Sequence, residues 1–214
     1  HIHTTASDGS WTPAELIDQV RVAGIGLFSV TDHDSVESLA ATARLAREAG
    51  LSFIPGVEIC STVRGQSFHI LGYGIDHQSK PLRHLLRHNT ELLEQVNEDS
   101  IHKLAAQGLP VDYAEYCAFQ YDPARGGWKA LSSLTDKGLC AEVREDFGKL
   151  FTAERGITFP DFPSPQEVIA TIHAAGGKAI LAHPGSDFHG TMLEETLDFF
   201  ADEAIDGVEC FHPS

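Results

Sequence analysis

The segment LFSVTDHD, residues 27–34, is the clearest indication of the fold, because a short apolar run is followed at once by acidic and imidazole side chains. Leu27 to Thr31 has the length and apolar content of one buried β-strand. Amphipathic helices are predicted on both sides of it, the first capped by Thr12 and the second by Ser35. A strand between two helices is typical of βα units.

The same alternation of strands and helices occurs in both terminal parts of the chain. It predicts an α/β fold formed by residues 1–77 and 164–214, whereas the longer helical segments of residues 78–163 predict a mainly helical insertion. Its predicted helices are residues 81–107, 112–118, 128–137 and 141–151. We expect this insertion to be a substrate-recognition module. The remaining predicted strands are Leu51–Ile54, Gln66–Tyr73, Lys178–Ala182 and Gly207–Phe211.

Composition limits the classes of protein that the sequence can represent. The chain has 214 residues, 42% of them hydrophobic and 21% charged, as in ordinary globular domains. No apolar stretch approaches the ~20 residues that cross a bilayer, so we expect no membrane partner. The four cysteines are scattered and predict reduced thiols in a cytoplasm. A net charge of −16 opposes binding to long duplex nucleic acid.

Several side chains suited to metal binding follow predicted strands. His33, Glu58 and His183 each lie just past an apolar run, at the end where β/α barrels assemble their active sites. His1 and His3 are separated by one residue and would point to the same side of a strand. Taken singly, each has a structural alternative: Asp8-Gly9 is an ordinary turn pair, and a lone His69 is more often structural than a ligand.

Read in order, these motifs resemble the PHP (polymerase and histidinol phosphatase) family of phosphoesterases. The resemblance implies a distorted (β/α)7 barrel and two or three divalent ions of manganese, iron or zinc. It assigns one ion to His1, His3 and Glu58, a second to Asp8 and His33, and a third to Glu58, His69 and His183. The matching segments are HIHTT with SDG (residues 1–5 and 7–9), TDHD (31–34), PGVE (55–58), HILGY (69–73) and AHPG (182–185).

The family pattern also includes a final Asp-x-His motif on a later strand. The letters GSDFH at residues 185–189 match it, which makes Asp187 and His189 candidates for metal binding or catalysis. They directly follow His183-Pro184, however, and precede the strand after which the motif belongs. We therefore expect them to be a loop, and the true motif to lie beyond Ser214 in a longer natural protein. The barrel would then be incomplete in this chain.

The position of the insertion resembles the family members that hydrolyse nucleoside monophosphates, 3',5'-bisphosphates or short oligonucleotides. Residues 78–163 hold ten of the 15 basic side chains. Arg125 and Lys129 in this segment, and Arg64 outside it, are candidates to bind a substrate phosphate, because Arg offers two parallel hydrogen-bond donors. A solvated surface position is the alternative for each cation. Trp128 could stack on a base or pack in the core.

These inferences predict an enzyme, a metal-dependent phosphoesterase of phosphatase or 5'-3' exonuclease type, that uses a metal-bridging hydroxide as nucleophile. Its partner would be a small phosphorylated substrate, either a nucleotide or a short oligonucleotide. Three alternatives stay open: a histidinol-phosphate-type phosphatase, an amidohydrolase, and a non-catalytic metal- or nucleotide-binding module. The sequence does not indicate the oligomeric state.

Overall fold

The structure is a computed structural model that describes residues 1–139, 149–185 and 193–212. Five strands and seven α-helices alternate along these residues. The strands are β1 (Leu27–Val30), β2 (Ser52–Val63), β3 (Gln66–Tyr73), β4 (Lys178–Leu181) and β5 (Gly207–Val208). The helices are α1 (Pro13–Val22), α2 (Leu39–Glu48), α3 (Lys80–Ala106), α4 (Tyr113–Ala118), α5 (Lys129–Asp136), α6 (Pro165–Ala174) and α7 (Leu193–Asp202).

The strands form one mixed sheet in the order β1-β2-β3-β4-β5. The pairs β1–β2 and β4–β5 are parallel, as βα units predict, but β3 runs antiparallel to both of its neighbours. The cause is local: only Arg64 and Gly65 separate β2 from β3, and both have positive φ angles, of 52° and 75°. A two-residue turn with two positive φ values makes a β-hairpin, which leaves no room for a crossover helix.

The two N-terminal helices show where local sequence determines the structure and where it does not. The predicted capping box is present: Thr12 accepts from the backbone N–H of Glu15, and the Glu15 carboxylate accepts from Thr12. The second helix begins at Leu39, after Ser38, and not at Ser35 as predicted. Ser38 does not cap this helix with its side chain, because its hydroxyl donates to Asp32 at 2.5 Å.

The long helix α3 connects two hydrophobic cores. Near its start, Leu82 and Leu86 pack in the main core with the sheet, and near its end Ile101 and Leu104 belong to a second core with Tyr116 of the insertion. Most of the predicted helix at residues 141–151 lies outside the described residues. No helix in the described ranges is both long and apolar enough to span a membrane.

Asp32 fastens the N-terminal segment to the sheet. Its carboxylate is fully buried and accepts four hydrogen bonds, from the backbone N–H and hydroxyl of Thr4 at 2.6 and 2.8 Å and from the hydroxyls of Ser7 and Ser38 at 2.9 and 2.5 Å. A buried carboxylate is tolerated only when donors satisfy it. Asp32 therefore holds the loop that carries the first three predicted metal ligands.

We predict that Asp32→Asn lowers the free energy of unfolding by about 1–3 kcal/mol, because the amide NH₂ would face donors that now bind a carboxylate oxygen. Urea denaturation followed by circular dichroism measures the loss. Asp18→Asn on the exposed face of α1 is the matched control. Equal stability of the two variants would contradict this role for Asp32.

Candidate metal centre

The seven predicted ligands lie together at one end of the sheet. Residues 1–3 are extended beside β1, where the backbone N–H of Thr31 donates to the carbonyl of Ile2 at 2.8 Å. His33 follows β1 and forms an isolated parallel bridge with Glu58 on β2. His69 lies on β3, and His183 follows β4. His33 and His183 lie past their strands as predicted, whereas Glu58 lies inside β2, because β2 continues to Val63 in the hairpin with β3.

Glu58 is the centre of this arrangement. Its side chain is 1% exposed, and its two carboxylate oxygens face different groups of imidazoles. One oxygen, Oε2, lies 2.9 Å from Nε2 of His1, 2.9 Å from Nε2 of His3 and 3.4 Å from Nε2 of His33. The other, Oε1, lies 3.1 Å from Nδ1 of His69 and 3.0 Å from Nε2 of His183. A carboxylate placed in this way has the geometry to bridge two ions.

The donor atoms fit divalent metal ions. The Nε2 atoms of His1 and His3 lie 3.1 Å apart and point at each other, so a cation or a shared proton has to separate their lone pairs. Mixed imidazole and carboxylate donors suit zinc, manganese or iron. Among the described residues, five groups have one donor atom per residue within 4.8 Å of one another, and three of them consist of predicted ligands alone: His1, His3 and Glu58; His3, Asp8 and His33; and Glu58, His69 and His183. The other two are His33, Cys60 and His69, and His1, Glu209 and His212.

Electrostatics in this cluster keep the carboxylates charged. Burial raises the pKa of Glu58, but the neighbouring imidazoles, His33 and His69 first, outweigh this effect and hold its pKa well below the ordinary value. Burial lowers the pKa of His1 and His3, but hydrogen bonds to carboxylates raise them to about 9 and about 10. Burial lowers the pKa of His33 to about 4. A metal ion would therefore have to displace protons from His1 and His3. His33 is already neutral and can bind a metal ion without losing a proton.

The loop that carries Asp8 depends on a glycine. A Cβ atom at Gly9 would lie 2.3 Å from the backbone carbonyl oxygen of His3, which no side chain can tolerate. This close approach turns the chain back so that Asp8 Oδ1 lies 2.5 Å from Nδ1 of His3. The Asp8-Gly9 pair is a turn, and the turn itself delivers the carboxylate to the cluster.

Glu209 and His212 belong to this site and were missed by the sequence analysis. Glu209 accepts from Nδ1 of His1 at 3.0 Å and from the backbone N–H of His183 at 2.9 Å. The ring of His212 lies 5.1 Å from that of His1 and 5.0 Å from that of His183, between centroids. Glu209 directly follows β5, which ends at Val208, whereas the predicted strand ran to Phe211 and contained Glu209.

The other predicted site residues have varied positions. Lys129 lies over the ring of Tyr116, 4.7 Å from its centroid, and lines a groove next to the cluster. Arg125 forms a two-pronged ion pair with Asp136 at 2.6 and 2.9 Å. Arg64 is exposed in the β2–β3 turn. The candidates Asp187 and His189 lie outside the described residues.

Two cavities meet at His33. The smaller has a volume of about 330 Å³ and is lined by the cluster imidazoles, Glu58 and His212. The larger is a groove of about 1130 Å³ that extends from His33 and Ser7 along α3 to the insertion. A ligand in the groove can therefore present one end to the metal cluster.

We predict that Glu209→Ala weakens metal binding by about 10–100-fold, the usual effect of removing a carboxylate that orients a metal-binding imidazole. Glu209→Gln should fall between the wild type and this variant, because it keeps an acceptor and loses the charge. Competition against a chromogenic chelator measures the affinity. Glu195→Ala on exposed α7 is the control, and unchanged affinity in both Glu209 variants would contradict the assignment.

Comparisons with known proteins agree with the geometry, although no protein-family model matches the chain. The chain is 30% identical over 213 residues to the 5'-3' exoribonuclease Rnm of Salmonella typhimurium, covering 98% of this chain and 73% of the relative. It is equally similar, at 30% over 213 residues, to a 3',5'-nucleoside bisphosphate phosphatase of Chromobacterium violaceum, with 98% and 74% covered.

Among solved structures, the chain superposes on a Bifidobacterium adolescentis protein assigned as a metal-dependent phosphoesterase. The TM-score is 0.84 at 25% identity, with 99% of this chain and 76% of the other covered. The named relatives are enzymes that cleave phosphate esters, as the ordered motifs predict. The chain therefore belongs to the PHP family of metal-dependent phosphoesterases.

Proposed function

We propose that this phosphoesterase acts on nucleoside phosphates that carry more than one phosphate, such as nucleoside 3',5'-bisphosphates, or on the 5' end of short oligonucleotides. The observation that carries this proposal is the position of the Glu58 cluster at one end of a long groove, whose lining includes the cations Lys80, Arg83, Arg87 and Lys129 beside acidic side chains. One phosphate would lie at the cluster while the rest of the substrate lies in the groove.

We infer that His1, His3, Asp8, His33, Glu58, His69 and His183 hold two or three ions of manganese, iron or zinc. Bound ions of this kind neutralise phosphate charge, lower the pKa of water and stabilise the leaving oxygen. Glu58 contributes one oxygen to each imidazole group. Glu209 holds the ring of His1 in place through Nδ1, which leaves Nε2 directed at the cluster.

The cations of the groove support a substrate with a second phosphate. Lys80, Arg83 and Arg87 lie on successive turns of α3 and line the groove, and Lys129 lines it from the insertion. Arg83 is paired with Glu37 at 2.7 Å, whereas Arg87 is exposed. Guanidinium groups bind phosphate oxygens through two parallel hydrogen bonds. RNA and nucleoside bisphosphates, the substrates in the relatives' names, both carry further phosphates.

In this proposal residues 1–77 and 164–214 form the PHP barrel of distorted (β/α)7 type, and residues 78–163 are the recognition module. The separate hydrophobic core around Ile101 and Leu104 supports a module with its own packing. A reducing compartment such as the cytoplasm suits the thiols of Cys60, Cys117 and Cys210, none of which is in a disulfide among the described residues.

Phosphate release with added Mn²⁺, and then with chelator, tests the proposed function. We expect turnover of an adenosine 3',5'-bisphosphate or a 5'-phosphorylated trinucleotide that chelator abolishes. Glu58→Gln should reduce it at least about 100-fold with an unchanged circular dichroism spectrum, because the bridging carboxylate is lost. Turnover of histidinol phosphate alone would support that alternative, and no metal-dependent turnover of any phosphoester would contradict the proposal.

We predict that Arg87→Ala raises the KM for adenosine 3',5'-bisphosphate about 10-fold, the size expected from losing a charge-assisted hydrogen bond to phosphate. The KM for p-nitrophenyl phosphate, which has a single phosphate, should change much less. Arg44→Ala is the matched control, since Arg44 is exposed on α2 and paired with Glu48. Equal effects of Arg87→Ala on both substrates would contradict a second phosphate site.

A further inference from the structure

A third cavity continues the path that begins at the metal cluster. It is a pocket of about 440 Å³ between the β2–β3 hairpin, α3 and residues 151–161. Leu93, Asn97 and Trp128 line both this pocket and the groove. His33 lines both the groove and the cluster cavity. Each cavity therefore shares lining residues with the next, from the cluster cavity through the groove to the apolar pocket.

Trp128 stands between the pocket and the metal ligands, and backbone contacts fix its position. The N–H of Gly127 donates to the carbonyl of Asp8 at 2.7 Å, and the hydroxyl of Tyr121 donates to the carbonyl of Gly127 at 2.6 Å. The indole ring lies 5.9 Å from the His33 ring, between centroids. Trp128 is partly buried and belongs to neither hydrophobic core of the described residues.

The chemistry of this pocket suits a flat, partly polar ring. Its walls are mainly apolar and include Val96, Leu131 and Phe159, while Asn97 and Asp161 add polar groups to its lining. Pockets of ~300–1,000 Å³ with apolar walls and a few polar groups are typical of small-molecule sites. A base stacks on aromatic rings and uses hydrogen-bonding groups at its edge.

We propose that this pocket binds the nucleobase of the substrate, with Trp128 as the wall nearest the metal cluster. The inference rests on the proposed function, because it assigns to the pocket the base of the same molecule whose phosphate lies at the Glu58 cluster. The pocket joins the groove at Leu93, Asn97 and Trp128, so a base inside it is connected to a phosphate near His33 through the groove. A purely apolar ligand would leave Asn97 and Asp161 unused.

Binding of nucleosides tests the pocket without any requirement for catalysis. The chain has two tryptophans, so Trp11→Phe leaves Trp128 as the single tryptophan, which excitation at about 295 nm selects over the tyrosines. Trp11 is 43% exposed at the surface. We expect adenosine, guanosine, cytidine or uridine to quench this fluorescence in a saturable way. In the same background, Val96→Phe should weaken the quenching at least about 10-fold by filling the pocket, while Val22→Phe on exposed α1 should not.

Kinetics then separate this inference from the proposed function. In Trp128→Leu the ratio of kcat/KM for adenosine 3',5'-bisphosphate to that for p-nitrophenyl phosphate, which has no nucleobase, should fall about 10-fold. Val96→Phe should lower the same ratio, which guards against damage by Trp128→Leu to the nearby cluster. If no phosphoester is turned over, the proposed function fails while the fluorescence titration still decides the base site. Absence of saturable quenching, equal quenching in Val96→Phe, or an unchanged ratio in both variants would overturn the inference.

Discussion

The structure depends on one buried carboxylate. Glu58 is almost fully enclosed, and burial of an anion is costly unless opposite charge surrounds it. Five imidazoles from segments that are distant in sequence surround this carboxylate, so the N-terminus, β1, β3 and β4 all meet at one side chain. Backbone hydrogen bonds set the register: Asp34 N–H donates to the Glu58 carbonyl at 2.8 Å, which holds His33 opposite that residue. The backbone register of these strands therefore also places the candidate metal ligands around Glu58.

The helical part of the chain reaches this centre through few but direct contacts. Asn89 on α3 donates to the Asp34 carboxylate at 2.7 Å, beside the ligand His33. Gly127 of the insertion donates to the backbone of Asp8 at 2.7 Å. Neighbouring Gly126 has a positive φ of 70°, which favours glycine, and a Cβ there would approach the same Asp8 carbonyl oxygen to 3.1 Å. The groove walls are therefore positioned by backbone contacts to ligand-bearing loops.

The features that were predicted correctly from the sequence are those fixed by residues close together in the chain. The capping box at Thr12 needs only three neighbouring residues, and α3 begins and ends within one residue of its predicted limits. Prediction failed where a distant partner decides the outcome. Ser38 is drawn away from helix capping by Asp32, and the importance of Glu209 becomes visible only when the β4–β5 register places it beside His1. Only His33, Glu58 and His183 were selected because they follow predicted strands. The full set of seven candidate ligands came from the order of the motifs that resemble the PHP family.

Charge is distributed unevenly between the helical insertion and the rest of the chain. Residues 78–163 carry ten of the 15 basic side chains and 13 of the 31 acidic ones, so most of the excess negative charge lies in the part that supplies the metal ligands. That excess negative charge repels a long polyanion over distances up to about the Debye length. The cations of α3 and Lys129 act at short range inside the groove, beside the acidic side chains Glu37, Glu94 and Glu98. On the proposed function, this combination favours a short phosphorylated molecule or a chain end, which can enter the groove without placing many phosphates against the acidic surface.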